Sequence, residues 1–278
     1  MNVLEPVAAY NRIAPEYGRI SDRRRPYLDR IEELVIHEIP RSSRSLLDIG
    51  AADGRRAARI ASSCGLSETT LLEPSVEMRE TWPASVRSWA MRAEELPAAA
   101  GSFDVITCLW NVLGHVFPAA NRIEVLRQSA RLLVPEGVMF VDLNHRYNAR
   151  HYGMLSTIAR IIRDYIFPGE RNGDVVAKWT VGRTTYRTRG HVFTHGEFRS
   201  LAFGSGLRIR KVFVVDYETG RLHGSRFGGN LLYILEHASS NTRQTSAISC
   251  SASELKNGNA RVLDETCSVT GNMGHRSM

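Results

Sequence analysis

LLDIGAADGRRA, Leu46 to Ala57, is the stretch on which the fold turns. A short apolar run from Ser45 to Ile49 closes on Asp48 and on the small-residue turn Gly50-Ala51-Ala52-Asp53-Gly54. A helix-compatible stretch, Arg55 to Ser63, follows at once. A turn of small residues lets the backbone approach a ligand closely, and the free N–H groups of a helix start attract a carboxylate or a phosphate.

Working outward, the alternation repeats. Pro26 to Ile39 carries Leu28, Ile31, Leu34, Val35 and Ile39 at helical spacing, with Pro26 suited to a first turn. Thr69 to Glu73, Val86 to Met91, Phe103 to Leu109 and Val138 to Asp142 read as four more buried strands, with a helix over Ala120 to Leu133. Short apolar strands alternating with helices predict an α/β fold: a doubly wound, mostly parallel sheet covered on both faces. Beyond residue 146 the pattern changes. A helix around Tyr152 to Ile166 and two strands joined at Gly182-Arg183 predict an insertion. Thr194, with Glu197 three residues on, marks a helix start, and Leu207 to Val215 with Asn230 to Glu236 form an antiparallel pair. The expected division is 1–44, an N-terminal lid and first helix; 45–146, the ligand-binding core; 147–193, a cap inserted between the fifth and sixth of seven strands; 194–238, the end of the core; and 239–278, a polar tail expected to be disordered.

Glu73 stands 23 residues after Gly50, at the end of the next strand. In doubly wound folds an acid there accepts hydrogen bonds from ribose hydroxyls, so loop and acid together point to a nucleoside-containing ligand with an anionic group. The dinucleotide fingerprint G-x-G-x-x-G is absent, because Ala52 and Arg55 interrupt it.

DIGAADG resembles instead the first motif of class I S-adenosylmethionine-dependent methyltransferases, with Ala52 in place of its middle glycine. LLEPSVEM (Leu71–Met78), MRAEELP (Met91–Pro97) and FDVITCLWNVLGHV (Phe103–Val116) are similar to the motifs that follow it in that family, in the same order. The resemblance implies S-adenosylmethionine as cofactor, with S-adenosylhomocysteine as product. It implies that Asp48, Gly50, Ala51 and Ala52 cradle the methionine part, that Glu73 takes the ribose with Pro74 beside the adenine, and that Ala93 and Glu94 take the adenine amino group. Leu109 and Trp110 lie where the fourth strand meets the cofactor.

YNRIAPEY, Tyr10 to Tyr17, resembles the segment that folds over the cofactor in small-molecule methyltransferases, with Tyr17 toward the cofactor and Tyr10 toward the acceptor. WNVLGHV and VDLNHRYN are similar to strand ends of the glycine and sarcosine N-methyltransferases. That likeness puts Asn111, Asn144, Arg146 and Tyr147 at the acceptor, and makes His115 and His145 the candidate catalytic bases. The expected reaction is methyl transfer to an oxygen, nitrogen or carbon of a small-molecule acceptor. An RNA methyltransferase, or a protein that binds the cofactor without turnover, are the alternatives.

A net charge of +7 raises nucleic acid as a partner, but the arginines are scattered and the densest run, Arg23-Arg24-Arg25, is read as solvated surface. His191 and His195 lack a third ligand, and Asp142 with Asn144 lacks a matching acid, so no metal is expected. Four scattered cysteines, no apolar run of membrane length and no basic-apolar leader make a cytoplasmic location the expectation. Oligomeric state is not legible.

Overall fold

Every residue of Ser45–Ile49 is buried. Its side chains alternate between two cores, Leu46 on one side and Leu47 with Ile49 on the other, as the two-residue period of a strand requires. A strand buried on both faces must be central. This is the reason its sequence is an unbroken apolar run interrupted only by Asp48.

The structure, a computed structural model, describes residues 3–97 and 102–238. In chain order the first half holds β1 (Val3–Leu4), α1 (Pro6–Ile13), α2 (Tyr17–Asp22), α3 (Arg25–Glu38), β2 (Ser45–Ile49), α4 (Arg55–Cys64), β3 (Glu68–Leu72), α5 (Val76–Arg79), β4 (Arg87–Trp89) and β5 (Phe103–Cys108). The second half holds α6 (Ala119–Leu132), β6 (Leu133–Leu143), α7 (Ala149–Tyr152), α8 (Met154–Ile166), β7 (Asp174–Val181), β8 (Thr184–His191), α9 (His195–Gly204), β9 (Leu207–Val215), β10 (Leu222–His223) and β11 (Asn230–His237).

The main sheet runs β10-β9-β11-β6-β5-β2-β3-β4. Strands β2 to β6 are parallel to one another, and β11 lies antiparallel between β6 and β9. The expected seven strands are joined by an eighth, the two-residue β10 at the edge. Helices α6 and α9 cover one face through Val125, Leu126, Phe198 and Ala202, and α3 and α4 cover the other through Ile31, Val35, Ala57 and Ile60. Each of the Val, Leu, Ile and Phe side chains among them, fully buried, contributes about 1.5–3 kcal/mol relative to exposure.

Between β6 and α9 lie α7, α8, β7 and β8, and the helix read over Tyr152–Ile166 is broken at Gly153, where φ is +83°. The hairpin β7–β8 does not join the main sheet. It pairs in parallel with β1 to make a separate three-stranded sheet, which the sequence did not suggest because β1 is only two residues long. Thr194 caps α9 by accepting from the Glu197 N–H at 3.1 Å, with the Glu197 carboxylate returning to the Thr194 N–H, the expected capping box. Helices α1 and α2 add a third core, Ile13, Tyr17 and Ile20 against Ala52 and Met78, which seats the N-terminal segment on the Gly50–Gly54 turn. The expected disordered tail, 239–278, lies outside the described residues.

Candidate active site

The strand order reverses at β2, whose neighbours are β3 and β5, so a crevice opens at the carboxyl ends of these three strands. Gly50 follows β2, Glu73 follows β3 and Trp110 follows β5, and all three line one cavity of about 720 Å³ of atom-free space.

The turn is held in a conformation few residues adopt. Gly50 and Gly54 have φ of +70° and +75°, and Ala52, at the position of the family's middle glycine, has φ of +49°. The Ala52 N–H donates to Oε2 of Glu73 at 3.1 Å, and Oε1 of Glu73 accepts from the Ser75 N–H at 2.9 Å. Burial pushes the Glu73 carboxyl above its ordinary value, opposed by these two backbone donors. A carboxylate offers about four acceptor positions, so two remain for a diol.

Arg56 closes the other end of the cavity. One of its terminal nitrogens donates to both oxygens of Asp48 at 2.9 Å, and its Nε is buried without a partner. An unpartnered buried donor beside the turn fits the carboxylate of a methionine moiety. The buried Asp48 also accepts from the Thr107 hydroxyl at 2.7 Å and does not line the cavity, and neither does Ala51. Asp48 is turned onto Arg56 instead, and Ala51 lines a separate pocket with Arg25 and Glu32. Tyr17, Ala52, Pro74, Ala93, Glu94 and Leu109 do line it. Arg56 was missed by the sequence reading, although the second arginine of DGRRA was in view.

A second cavity, about 1240 Å³ and open to solvent, meets the first at Tyr10, Trp110 and His115, which line both. Tyr10 comes from α1, Trp110 and His115 from the exit of β5, and the far wall from β7. Trp110 and Asn111 are both left-handed, with φ of +61° and +60°. Such a pair of non-glycine residues is held only where the surroundings over-determine it. Here the Trp110 N–H donates to Oδ2 of Asp142 at 3.0 Å, and the Asn111 side chain accepts from the Asn144 N–H and donates to the His191 carbonyl. Burial raises Asp142 to about 6, with donation from the Tyr27 hydroxyl opposing the rise.

His115 Nδ1 lies 3.0 Å from the Arg189 carbonyl, which makes it the protonated nitrogen, and Nε2 lies 3.2 Å from the Tyr10 hydroxyl. Burial holds the imidazole below its ordinary value and the Tyr10 phenol above its own.

Asn111 and Asn144 line this second cavity, but His145, Arg146 and Tyr147 do not. His145 is buried with Nδ1 at 2.8 Å from the Arg226 carbonyl, and burial lowers it to about 4. Arg146 binds Asp164 and Glu197 at 2.9 and 2.6 Å, and the Tyr147 hydroxyl donates to Asp164 at 2.8 Å. The chain after Asn144 is pinned by the Arg146 N–H to the Phe193 carbonyl, and the Arg146 guanidinium ties Asp164 of the insertion to Glu197 of α9, while His145 is held by Arg226 and Tyr147 by Asp164. Among the described residues no cluster of three or more potential metal ligands converges.

A model of the methyltransferase domain family matches residues 19–212. The chain belongs to that family. In fold, this methyltransferase is similar to an S-adenosylmethionine-dependent methyltransferase from Clostridium acetobutylicum, with TM-score 0.57 and 12% identity over 80% of this chain and 98% of that one. It is similar to the CcbJ methyltransferase from Streptomyces caelestis (TM-score 0.55, 16% identity, 76% and 90% covered). It is also similar to the S-adenosylmethionine-bound CalS10, an amino pentose methyltransferase from Micromonospora echinaspora (TM-score 0.50, 16% identity, 76% and 91% covered). No curated protein matches it in sequence. No helix among the described residues is long and apolar enough to cross a membrane.

Proposed function

We propose that the protein transfers the methyl group of S-adenosylmethionine to a nitrogen, oxygen or carbon of a small-molecule acceptor. The observation that carries this reading is the meeting of two cavities at Tyr10, Trp110 and His115. Glu73 would hold the ribose hydroxyls, Arg56 the methionine carboxylate, and the Ala93–Glu94 turn with Pro74 the adenine. The cofactor, when bound, supplies a methyl group already activated on sulfonium. What remains for the protein is to aim the acceptor and to remove its proton.

Tyr10 and His115 are placed for the second task. An acceptor proton passes to the Tyr10 oxygen while the Tyr10 proton passes to Nε2 of His115. The imidazolium so formed keeps its Nδ1–H on the Arg189 carbonyl. Because burial keeps the resting imidazole neutral, Nε2 is free to receive that proton near pH 7. The insertion 147–193, with α1 and α2, forms the cap over the acceptor. An amino pentose methyltransferase among the similar folds supports a small acceptor.

The test is calorimetry with S-adenosylhomocysteine, followed by transfer of labelled methyl from S-adenosylmethionine across amines, phenols and acids. Micromolar binding and turnover on one class are expected. Absence of binding ends the donor assignment, and salt-dependent methylation of RNA with no small-molecule turnover ends the acceptor assignment.

A further inference from the structure

The Arg23-Arg24-Arg25 run is not uniformly solvated surface. Arg25 is used structurally, paired with Asp22 and Asp29. Arg23 and Arg24 both line the second cavity, as does Lys178. No aspartate or glutamate is among the described residues that line it. The described lining of this cavity therefore carries three cations and no acid. Arg24 lies 4.5 Å over the Tyr217 ring and gives one nitrogen to Glu218, which stays outside the cavity. A guanidinium has five donors, so one such contact leaves the rest for a ligand. The exposed Arg23 side chain has neither a hydrogen bond nor an ion pair among the described residues. The remaining lining adds donors and flat apolar surface. Trp179 brings an indole N–H that is buried without a partner, and its ring sits 6.2 Å from that of Tyr10. His151 adds no charge near neutral pH, since burial lowers it.

We infer that the acceptor is an anion: a small molecule with an apolar or aromatic body and a carboxylate or phosphate held by Arg23 and Arg24. This rests on the methyltransferase reading and narrows its acceptor class. Guanidinium groups bind such oxyanions through paired N–H donors, and the same field repels a protonated amine that lacks an acid group. The anionic end fixes one pole of the acceptor, and the nucleophile is then presented at the Tyr10–His115 wall shared with the donor cavity.

The test uses four probes on one ring: phenylacetate, phenyl phosphate, phenylacetamide and phenethylamine. Each is titrated calorimetrically into the full chain, with and without S-adenosylhomocysteine. At least one of the two anions is expected to bind ten-fold or more tightly than the amide, and which of them wins identifies the headgroup. R23Q, which breaks no contact seen in the structure, should weaken the better anion several-fold. R23Q/R24Q should weaken it at least ten-fold, with amide binding and S-adenosylhomocysteine affinity unchanged within two-fold. Equal binding of acid and amide, tightest binding of the amine, no binding of either anion, or full anion affinity in R23Q/R24Q would each overturn the inference. Failure of S-adenosylhomocysteine to bind would strike the donor reading alone, because the titrations without it still decide whether the cavity selects anions.

Discussion

The Tyr10 hydroxyl sits 3.2 Å from Nε2 of His115, across 105 positions of sequence. The rings meet edge-on with centroids 5.4 Å apart. One residue arrives on the N-terminal helix and the other on the exit of β5, so the pair exists only when α1 is seated. Seating α1 and forming the Tyr10–His115 pair are therefore one event.

If that route operates, Y10F and H115Q should each lower kcat by about 10²–10⁴-fold on an acceptor that must lose a proton, with little change in S-adenosylhomocysteine affinity. Since His115 must be neutral and burial holds it below the ordinary 6.5, wild-type activity should be full at neutral pH and fall on the acid side only below that value. H115Q should lose that acid limb. Wild-type turnover by both variants, read from initial rates between pH 5 and 9, would remove the pair from the mechanism.

Removing the ribose acceptor should cost affinity. E73A is expected to weaken S-adenosylhomocysteine by about 1–3 kcal/mol, the consequence of leaving buried donors unpaired. It should also lower the melting temperature, because the Ala52 and Ser75 N–H groups lose their acceptor. E73Q keeps an oxygen for one of them and should recover part of the stability. Calorimetry giving the same affinity for E73A and wild type would mean that the ribose lies elsewhere.

Ala52 stores backbone strain at φ +49°. A left-handed alanine costs about 1–2 kcal/mol, and glycine gives back part of that through its freer unfolded chain. A52G should therefore stabilise the protein by about 0.5–1 kcal/mol in denaturant titration and leave cofactor affinity intact. A destabilised A52G would show that the Ala52 methyl, packed among Tyr17, Ile20 and Met78, outweighs the strain.

His145 belongs to stability. Burial lowers it from 6.5 to about 4 in the folded protein, so the unfolded chain binds its proton first. The stability this group contributes is complete above about pH 6.5 and is lost as pH falls from there through 4, on the order of 3 kcal/mol in all. H145Q can still donate to the Arg226 carbonyl and should flatten this part of the stability-against-pH curve. An unchanged curve would mean that other groups carry the acid transition.

The core and the cofactor end of the site were legible in the sequence because both are local. A strand buried on both faces needs an apolar run, a ligand turn needs small residues, and an acid 23 positions later falls at the next strand's end by simple geometry. The acceptor end was not legible, because its parts meet only through tertiary packing. Arg146 and Tyr147 sit beside Asn144 in sequence, yet the pairing of Arg146 with Phe193 turns them into the insertion. Arg23, by contrast, looks like ordinary surface until α2 packs on the Gly50–Gly54 turn and β7 folds opposite. Local chemistry determined by itself that this chain builds a methyltransferase core; which side chains line the second cavity was decided by the docking of a two-residue strand, two short helices and an inserted hairpin. Their positions depend on burial and hydrogen bonds between segments from about thirty to more than a hundred residues apart, and no local pattern encodes them.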